Sequence, residues 1–383
     1  MNMRIEHIGK RALIGALFFV LSLPLLQQLF EFSETRPLDG YQKEAEYPQF
    51  GYKQWFEGDF QGNADAYLNV HFGFRNTLVR AYNEFYFKVF TYSQTQGIVI
   101  GKDNYLFEEN YINAHLGRDY LGEEAIAEKV EKLSYIRDAL AKDNIELVVV
   151  FAPGKGSFCS EFIPDEYEPW DKQITNYEVY RDELKMTSIP FVDFHRWFDQ
   201  MKDTTTYPLF SPTGIHWSRY GELLVADSLL SYLSVLREEQ LVDIEFTGMR
   251  TSKVLEFTDD DAERGMNLMC DIPDLEMAYP DILWKADSNT VKPNAIVVGD
   301  SYYWGLFNSG FSYQAFSNGQ FWYYNQDIYN NWEQGGKSIS DIDIRSNLIN
   351  TDIVILLCTD ANLYKFAFGF IDENYALLSG KKK

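Results

Sequence analysis

The chain has 383 residues, of which 57 are acidic and 34 basic, so it carries 23 excess negative charges at neutral pH. A hydrophobic content of 46% indicates a globular protein and excludes a disordered one, and the length allows roughly two or three domains. The acidic balance excludes nucleic acid as a partner, because such proteins bind phosphates through clustered lysine and arginine. Three cysteines are too few for a disulfide framework, although Cys159 and Cys270 could pair in an oxidising compartment.

The N-terminal segment predicts a membrane anchor. Residues 12–30 contain no charged side chain, and a helix of this length spans about 28 Å. The flanking charges differ in sign, because basic residues precede the segment and acidic residues follow it: Arg4, Lys10 and Arg11, then Glu31, Glu34 and Asp39. The positive-inside rule therefore places residues 1–11 in the cytoplasm and the main part outside. A cleaved signal peptide is the alternative, but the segment is long for one and lacks a small-x-small site.

Three regions are predicted from the N-terminus onward. Residues 1–34 form the cytoplasmic tip and the transmembrane anchor. Residues 35–100 begin with a polar linker and continue with aromatic residues at helical spacing over 51–94. The apolar residues at 98–100 and 105–107 flank a polar turn, which predicts a hairpin.

Residues 101–383 are predicted to form an α/β domain. Amphipathic patterns at 123–144, 177–184 and 217–236 predict helices, and short apolar runs predict strands at 145–151, 189–194, 295–298 and 352–357. Helices that alternate with largely apolar strands indicate a three-layer domain with a mostly parallel sheet. Residues 237–292 fit no such unit and are predicted to be an insertion.

The strongest chemical signal is Gly299-Asp300-Ser301, which follows the apolar run at 295–298. A parallel strand that leads into a helix would place Ser301 at the carboxyl edge of the sheet, where ligands bind in α/β folds. The N–H groups of the following helix could stabilise an oxyanion. The same pattern also fits a residue that only caps the helix.

A serine nucleophile needs a base, and His216 is the first candidate. It lies beside Trp217 just before a predicted helix. His195, at the end of the strand predicted at 189–194, is the second candidate. A histidine at such a junction is also commonly a packing or capping residue, so both interpretations stay open.

These segments together resemble the alginate O-acetyltransferase (AlgJ/AlgX-like) family. Members of that family have an SGNH-hydrolase-like domain in which an Asp-x-His-Trp element precedes the serine. Further similarities are FGFR at 72–75, GKDNYLF at 101–107 and APGK at 152–155. The resemblance covers roughly residues 50–365.

The resemblance implies acetyl transfer to a hydroxyl of an exported polysaccharide through an acetyl-serine, with Ser301 as nucleophile and His216 as base. It also implies a protein of the bacterial inner membrane whose main domain is periplasmic, and a multi-span membrane O-acyltransferase that supplies the acetyl group. No metal ion or other cofactor is expected. The candidates for oxyanion or substrate binding are Tyr302, Lys155, Arg75, Trp217 and Trp304.

One position departs from the family pattern. Gly214 stands where the family has the aspartate that orients the histidine, and loss of that acid costs about 10⁴ in kcat in a serine protease. Asp193 is our candidate for a substitute acid, with Asp203 as a second choice. Alternatively, Ser301 and His216 act as a dyad, or the site is inactive. The acidic run 259–261 lacks the spacing of a calcium loop and is predicted to be a solvated loop.

Two other functions remain open from the sequence. A carbohydrate acetylesterase would use the same residues with water as the acceptor. A non-catalytic glycan-binding or scaffold protein of a polysaccharide export system would account for Gly214. The aromatic residues at 302–304 and 321–324 offer rings that could stack on sugars, and the acidic charge favours a neutral or weakly charged glycan.

Overall fold

The computed structural model describes residues 2–40, 44–167, 171–330 and 336–380. The chain divides into two compact units, residues 1–95 with 263–271 and residues 96–262 with 272–383. The α-helices are α1 (Asn2–Phe30), α2 (Tyr52–Glu57), α3 (Asp59–His71), α4 (Arg75–Phe90), α5 (Glu109–His115), α6 (Glu123–Ala141), α7 (Lys155–Phe158), α8 (Asn176–Lys185), α9 (Phe194–Met201), α10 (Arg219–Arg237), α11 (Asp261–Met266), α12 (Tyr303–Asn308), α13 (Phe311–Ala315), α14 (Ile344–Ile349) and α15 (Phe370–Ser379). The strands are β1 (Ile98–Ile100), β2 (Leu106–Glu108), β3 (Glu146–Ala152), β4 (Phe191–Asp193), β5 (Asp243–Ser252), β6 (Met277–Lys285), β7 (Asn294–Gly299), β8 (Asn318–Tyr323), β9 (Asp327–Asn330), β10 (Lys337–Ser338) and β11 (Ile353–Thr359).

The second unit is built on a seven-stranded sheet with the order β10-β9-β8-β7-β11-β3-β4. The strands from β8 to β4 are parallel, whereas β9 and β10 are added antiparallel at one edge. Every residue of β11 is buried, as expected for a strand covered on both faces. The prediction of an α/β domain with a mostly parallel sheet is confirmed.

Helix α6 shows how the sequence pattern builds the outer layers. Its buried side chains recur at helical spacing along one stripe, and they join the core formed by the sheet: Ile126, Val130, Leu133, Ile136 and Leu140. The predicted hairpin forms as well, with Ile98 paired to Glu108 and Ile100 paired to Leu106. Because the central strands are parallel, their carboxyl ends meet at one edge, and the segments that follow β7, β11, β3 and β4 all begin there.

The insertion contains structure that we did not predict. Strands β5 and β6 form a separate two-stranded antiparallel sheet, in which Asp243 pairs with Lys285 and Ser252 with Met277. Helix α11 lies between these strands in the chain. The residues 321–324, proposed above as a sugar platform, include part of strand β8.

The first unit contains α1 to α4. The part of α1 from Gly9 to Phe30 is long and apolar enough to cross a membrane. Arg80 of α4 is buried and donates hydrogen bonds to the carbonyl oxygens of Leu268 (3.1 Å) and Pro37 (2.6 Å). The predicted division at residues 34 and 100 stays a prediction.

Candidate active site

Ser301 and His216 lie in direct hydrogen-bonding contact. Ser301 follows β7 at the carboxyl edge of the sheet, and its Oγ is 2.9 Å from Nε2 of His216. His216 comes from the loop that precedes α10, and its side chain keeps 18% of its surface exposed. The imidazole is therefore placed to accept the serine proton and is open to a substrate.

Asp261 completes the constellation from the other side of the imidazole. Its Oδ2 is 2.5 Å from Nδ1 of His216, and its Oδ1 accepts the backbone N–H of Ile215 at 2.7 Å. A carboxylate can only accept, so Nδ1 carries the proton and Nε2 is free to accept from Ser301. Sequence reasoning missed Asp261, because it lies 45 residues from His216 in a run that we predicted to be a solvated loop.

Gly214 makes room for the segment that carries this acid. A Cβ at this position would lie 2.5 Å from the carbonyl oxygen of Thr258 and 2.8 Å from that of Asp259. The Ser211 hydroxyl links the two loops, since it donates to the Asp259 carbonyl oxygen and accepts the Gly214 N–H at 2.8 Å. The space that a side chain at 214 would need is thus filled by the backbone that leads to Asp261.

Asp193 does not lie beside His216, so its assignment as the substitute acid is corrected. Its carboxylate caps α9 by accepting the Arg196 N–H at 2.9 Å, and it accepts the Tyr177 hydroxyl at 3.0 Å. The second candidate base, His195, stacks on the Tyr177 ring with the ring centroids 3.9 Å apart. Asp193 ends β4 and His195 follows it, and β4 is three strands away from β7 in the sheet.

The charges of the site favour an imidazolium. Burial acts to lower the pKa of His216, but the adjacent Asp261 carboxylate outweighs it, and the pKa is raised above its ordinary value. Burial acts to raise the pKa of Asp261, yet the interaction with His216 and the hydrogen bonds hold it below its ordinary value. This pairing stabilises the charge that the histidine acquires when it takes a proton.

Lys155 supports the histidine loop and does not face a substrate. Its side chain is buried, and Nζ donates to the carbonyl oxygens of Pro212 (2.6 Å) and Gly214 (2.5 Å). Burial lowers its pKa to about 8. The ammonium therefore holds the loop that delivers His216, which replaces our expectation of an oxyanion or substrate contact.

Tyr302 also has a structural position. Its N–H donates to Oδ1 of Asp300 at 3.1 Å, and its hydroxyl donates to the Ile215 carbonyl oxygen at 2.9 Å. Its backbone donor is therefore already engaged and does not serve an oxyanion. Within the part of the chain that the structure describes, the Ser301 N–H meets no acceptor, so this donor is available beside the nucleophile.

Asp300 shapes the turn that presents Ser301. Its Oδ2 accepts hydrogen bonds from the Thr359 N–H (2.9 Å), the Thr359 hydroxyl (2.8 Å) and the Asn362 side chain (2.9 Å). These bonds tie the end of β7 to the end of β11. Thr359 and Asn362 gave no sequence signal, because their role depends on strands that are neighbours only in the folded sheet.

The aromatic candidates divide into buried and accessible rings. Trp217 is fully buried and packs against Tyr302 with the ring centroids 5.1 Å apart, so it belongs to the core. Trp304 is half-buried and contacts Tyr323, with centroids 5.5 Å apart. Fully buried rings that cannot stack on a sugar are Tyr302, Tyr303, Phe321 and Trp322.

Tyr324 was not singled out as a catalytic residue, yet its side chain lies near that of Ser301. Its backbone adopts a left-handed conformation with φ of 49°, which is uncommon for a bulky residue and costs about 1–3 kcal/mol. Its N–H donates to the Gly299 carbonyl oxygen at 2.9 Å. This strained turn brings a phenol to the nucleophile.

The remaining candidates from the sequence are Arg75, the two cysteines that could pair, and metal ligands. Arg75 belongs to the first unit, where Nε donates to the Asn69 carbonyl oxygen at 2.7 Å. Cys159 and Cys270 are free and do not pair. Among the described residues, no group of three or more histidine, cysteine, aspartate or glutamate side chains is arranged to hold a metal ion.

Part of the chain matches a model of a known protein family. Residues 98–274 match the family model described as "ALGX: SGNH hydrolase-like domain, acetyltransferase AlgX", a span that includes His216 and Asp261 and ends before Ser301. No curated protein matches the chain in sequence.

Three similar solved structures have low sequence identity to this chain. The O-acetyltransferase domain of Pseudomonas putida AlgJ is 15% identical, with 73% of this chain and 99% of that chain covered and a TM-score of 0.46. Pseudomonas aeruginosa AlgX is 16% identical, with 72% and 66% covered and a TM-score of 0.43. Bacillus cereus PatB1 is 12% identical, with 71% and 98% covered and a TM-score of 0.42.

Proposed function

We propose that this chain, whose residues 98–274 belong to the AlgJ/AlgX-like family of SGNH hydrolase-like acetyltransferases, is an O-acetyltransferase that works through an acetyl-serine. The observation that carries the proposal is the continuous hydrogen-bond chain from Asp261 through His216 to Ser301. A histidine between a carboxylate and a serine hydroxyl is the arrangement of acyl-transfer enzymes. The absence of an aspartate at position 214 therefore does not imply an inactive site.

The first half of the reaction acetylates the enzyme. Ser301 Oγ attacks the carbonyl carbon of an acetyl ester while His216 Nε2 accepts the serine proton. The oxyanion accepts a hydrogen bond from the Ser301 N–H. When the carbonyl re-forms, the bond to the leaving alcohol breaks, and His216 donates its proton to that alcohol.

The second half passes the acetyl group on. An acceptor hydroxyl loses its proton to His216 and attacks the acetyl-serine, and the bond to Ser301 Oγ then breaks as the proton returns to Oγ. With a sugar hydroxyl the outcome is transfer, and with water it is hydrolysis. The half-buried rings of Trp304, Tyr323 and Tyr324 near Ser301 favour a sugar acceptor, because aromatic faces pack on sugar rings.

The apolar helix α1 supports a cellular placement for this reaction. We infer that it anchors the protein in the bacterial inner membrane with the main domain in the periplasm, since basic residues precede it and acidic residues follow it. The acceptor is then an exported polysaccharide, and the acetyl group comes from a multi-span membrane acyltransferase. The excess of 23 negative charges favours a neutral or weakly charged glycan.

The test uses the full chain in detergent with 4-nitrophenyl acetate, and intact mass is read before and after. We expect a gain of one acetyl group in the wild type and none in Ser301→Ala. Asp261→Asn should slow the acetylation, and Asp260→Asn is its control, because Asp260 is the carboxylate next to Asp261 in the chain. An adduct that persists in Ser301→Ala would contradict the proposed nucleophile.

The same preparation separates transfer from hydrolysis. The acetylated enzyme is divided between buffer, a neutral oligosaccharide such as cellohexaose, and an oligouronide. Acetyl transfer to either sugar supports the transferase, and the preferred one gives the charge class of the acceptor. Release as free acetate at the same rate in all three would favour the esterase.

A further inference from the structure

The first unit exposes an apolar helical face. Arg80 and Phe87 are buried on one side of α4, whereas the opposite side shows large apolar side chains to solvent. These recur at i, i+4, i+7 and i+11 and form what we call the α4 outer face: Leu78, Tyr82, Phe85 and Val89. Tyr82 and Phe85 are 53% and 54% exposed. A contiguous apolar surface of this kind marks an interaction with another apolar phase.

The turn that leads into α4 is packed on the apolar helix α1 of the same unit. A Cβ on Gly73 would collide with the carbonyl oxygen of Pro24, so no larger residue fits there without a shift. The Phe74 N–H donates to the side chain of Gln27 at 3.2 Å, and the Phe74 ring meets that of Phe32 edge-on at 5.8 Å. These contacts set where along α1 the turn sits.

That place corresponds to the edge of a bilayer. The apolar stretch Gly9–Phe30 has 22 residues, which is about 33 Å of helix against about 30 Å of hydrocarbon. Pro24 and Gln27 precede Phe30 by six and three residues, and therefore lie about 9 and 5 Å from its end. An interfacial helix buries its apolar side by about 5–10 Å. The start of α4 thus lies at the depth that such a helix occupies.

We propose that the α4 outer face inserts into the interface of the bilayer that α1 spans, so that lipid covers it. The inference rests on the membrane anchoring proposed above. Aromatic side chains suit this position, because tyrosine has an apolar ring and a polar tip that reaches water. Residues 31–95 contain more acidic than basic side chains, so the binding comes from apolar burial and not from attraction to anionic lipid.

The test places spin labels on the full chain in vesicles of phosphatidylethanolamine and phosphatidylglycerol. Cys270 is the exposed cysteine and is first changed to serine. Single labels are then introduced by Tyr82→Cys and Phe85→Cys, with Lys88→Cys as the matched control. Lys88 is exposed on the same helix but about 100° around it from Val89. A Leu21→Cys label reports on the anchor itself.

The measured quantity is the accessibility of each label to oxygen relative to a water-soluble nickel chelate. We expect this ratio to be raised at positions 82 and 85 towards that at position 21, and to stay at the aqueous value at position 88. Aqueous values at 82 and 85 with a lipid value at 21 would overturn the inference and leave the anchor intact. Aqueous values at all four positions would overturn both. Low accessibility to both reagents at 82 and 85 would indicate a second copy of the chain on this face and would also overturn the inference.

Discussion

Two clusters at the carboxyl edge of the sheet contain a serine, a histidine and an aspartate. Only one of them has the order of side chains that acyl transfer requires. In the first, His216 lies between Asp261 and Ser301. The second cluster lines a cavity of about 400 Å³ and has an aspartate in the middle: Asp360 accepts the Ser157 hydroxyl and lies 3.3 Å from Nε2 of His195.

The difference teaches that residue types alone do not define a catalytic site. In a Ser-His-Asp site the serine is activated when an imidazole nitrogen receives its proton, which requires the histidine to be the central member. In the second cluster the serine proton points to a carboxylate that is already shared with His195. Among the described residues, that cluster therefore lacks a hydrogen bond from the serine to an imidazole.

The largest expected effect separates the two serines. Ser301→Ala should lower the rate of 4-nitrophenyl acetate turnover by roughly 10³-fold or more, because the attacking oxygen is removed. Ser157→Ala should leave the rate unchanged. The measurement is steady-state kinetics on both variants. A loss of rate in Ser157→Ala equal to that in Ser301→Ala would contradict the distinction between the two clusters.

The next effect separates the two aspartates considered for the acid. Asp261→Asn should lower kcat by about 10²–10⁴, because the imidazole loses the carboxylate that fixes its tautomer and stabilises its charge. Asp193→Ala should keep kcat and lose about 1 kcal/mol of unfolding free energy with the helix cap. Kinetics and urea unfolding are measured on both variants. Equal kcat values for the two would contradict the assignment of Asp261 as the acid beside His216.

A smaller effect is expected at Gly214. In Gly214→Ala the new methyl group meets the backbone carbonyls of Thr258 and Asp259, which should cost about 1–3 kcal/mol of stability and lower kcat as Asp261 shifts. Gly265→Ala is the control, because a Cβ there meets nothing within 4 Å. Wild-type stability and kcat in Gly214→Ala would show that the acid does not depend on this close contact.

The smallest effect is a shift in pH dependence. His216 must be neutral to accept the proton, so kcat/KM falls as the pH drops through its pKa. Asp261 raises that pKa, so the acid limb of the wild type should lie above the ordinary histidine value of about 6.5. In Asp261→Asn the limb should move to lower pH. A pH–rate profile of residual activity checks the direction, and an unmoved limb would mean that another group sets it.

The sequence allowed the sheet and half of the site to be predicted. The apolar runs that became β3, β7 and β11 are local signals, and the Gly-Asp-Ser turn and the helix after His216 are local as well. Ser301 and His216 could therefore be chosen together, and they do lie together. Their catalytic roles stay a prediction until variants are measured.

The rest depended on contacts between distant segments. Asp261 lies in the insertion, between β5 and β6, and its contact with His216 joins residues 45 positions apart in the chain. The burial of Lys155 and Trp217 could not be read from their positions in the chain, because it depends on distant segments. Lys155 donates to the Pro212 carbonyl oxygen, and Trp217 packs against Tyr302. Apolar strands give a signal in the local sequence, whereas loop-to-loop contacts give none.

The close fit at Gly214 also bears on how related chains are sorted into active and inactive ones. An aspartate at position 214 and the backbone of 258–259 cannot occupy the same space, so the two ways of supplying the acid exclude each other. A screen for the Asp-x-His motif would count this chain among the pseudoenzymes, although a carboxylate is present at the histidine.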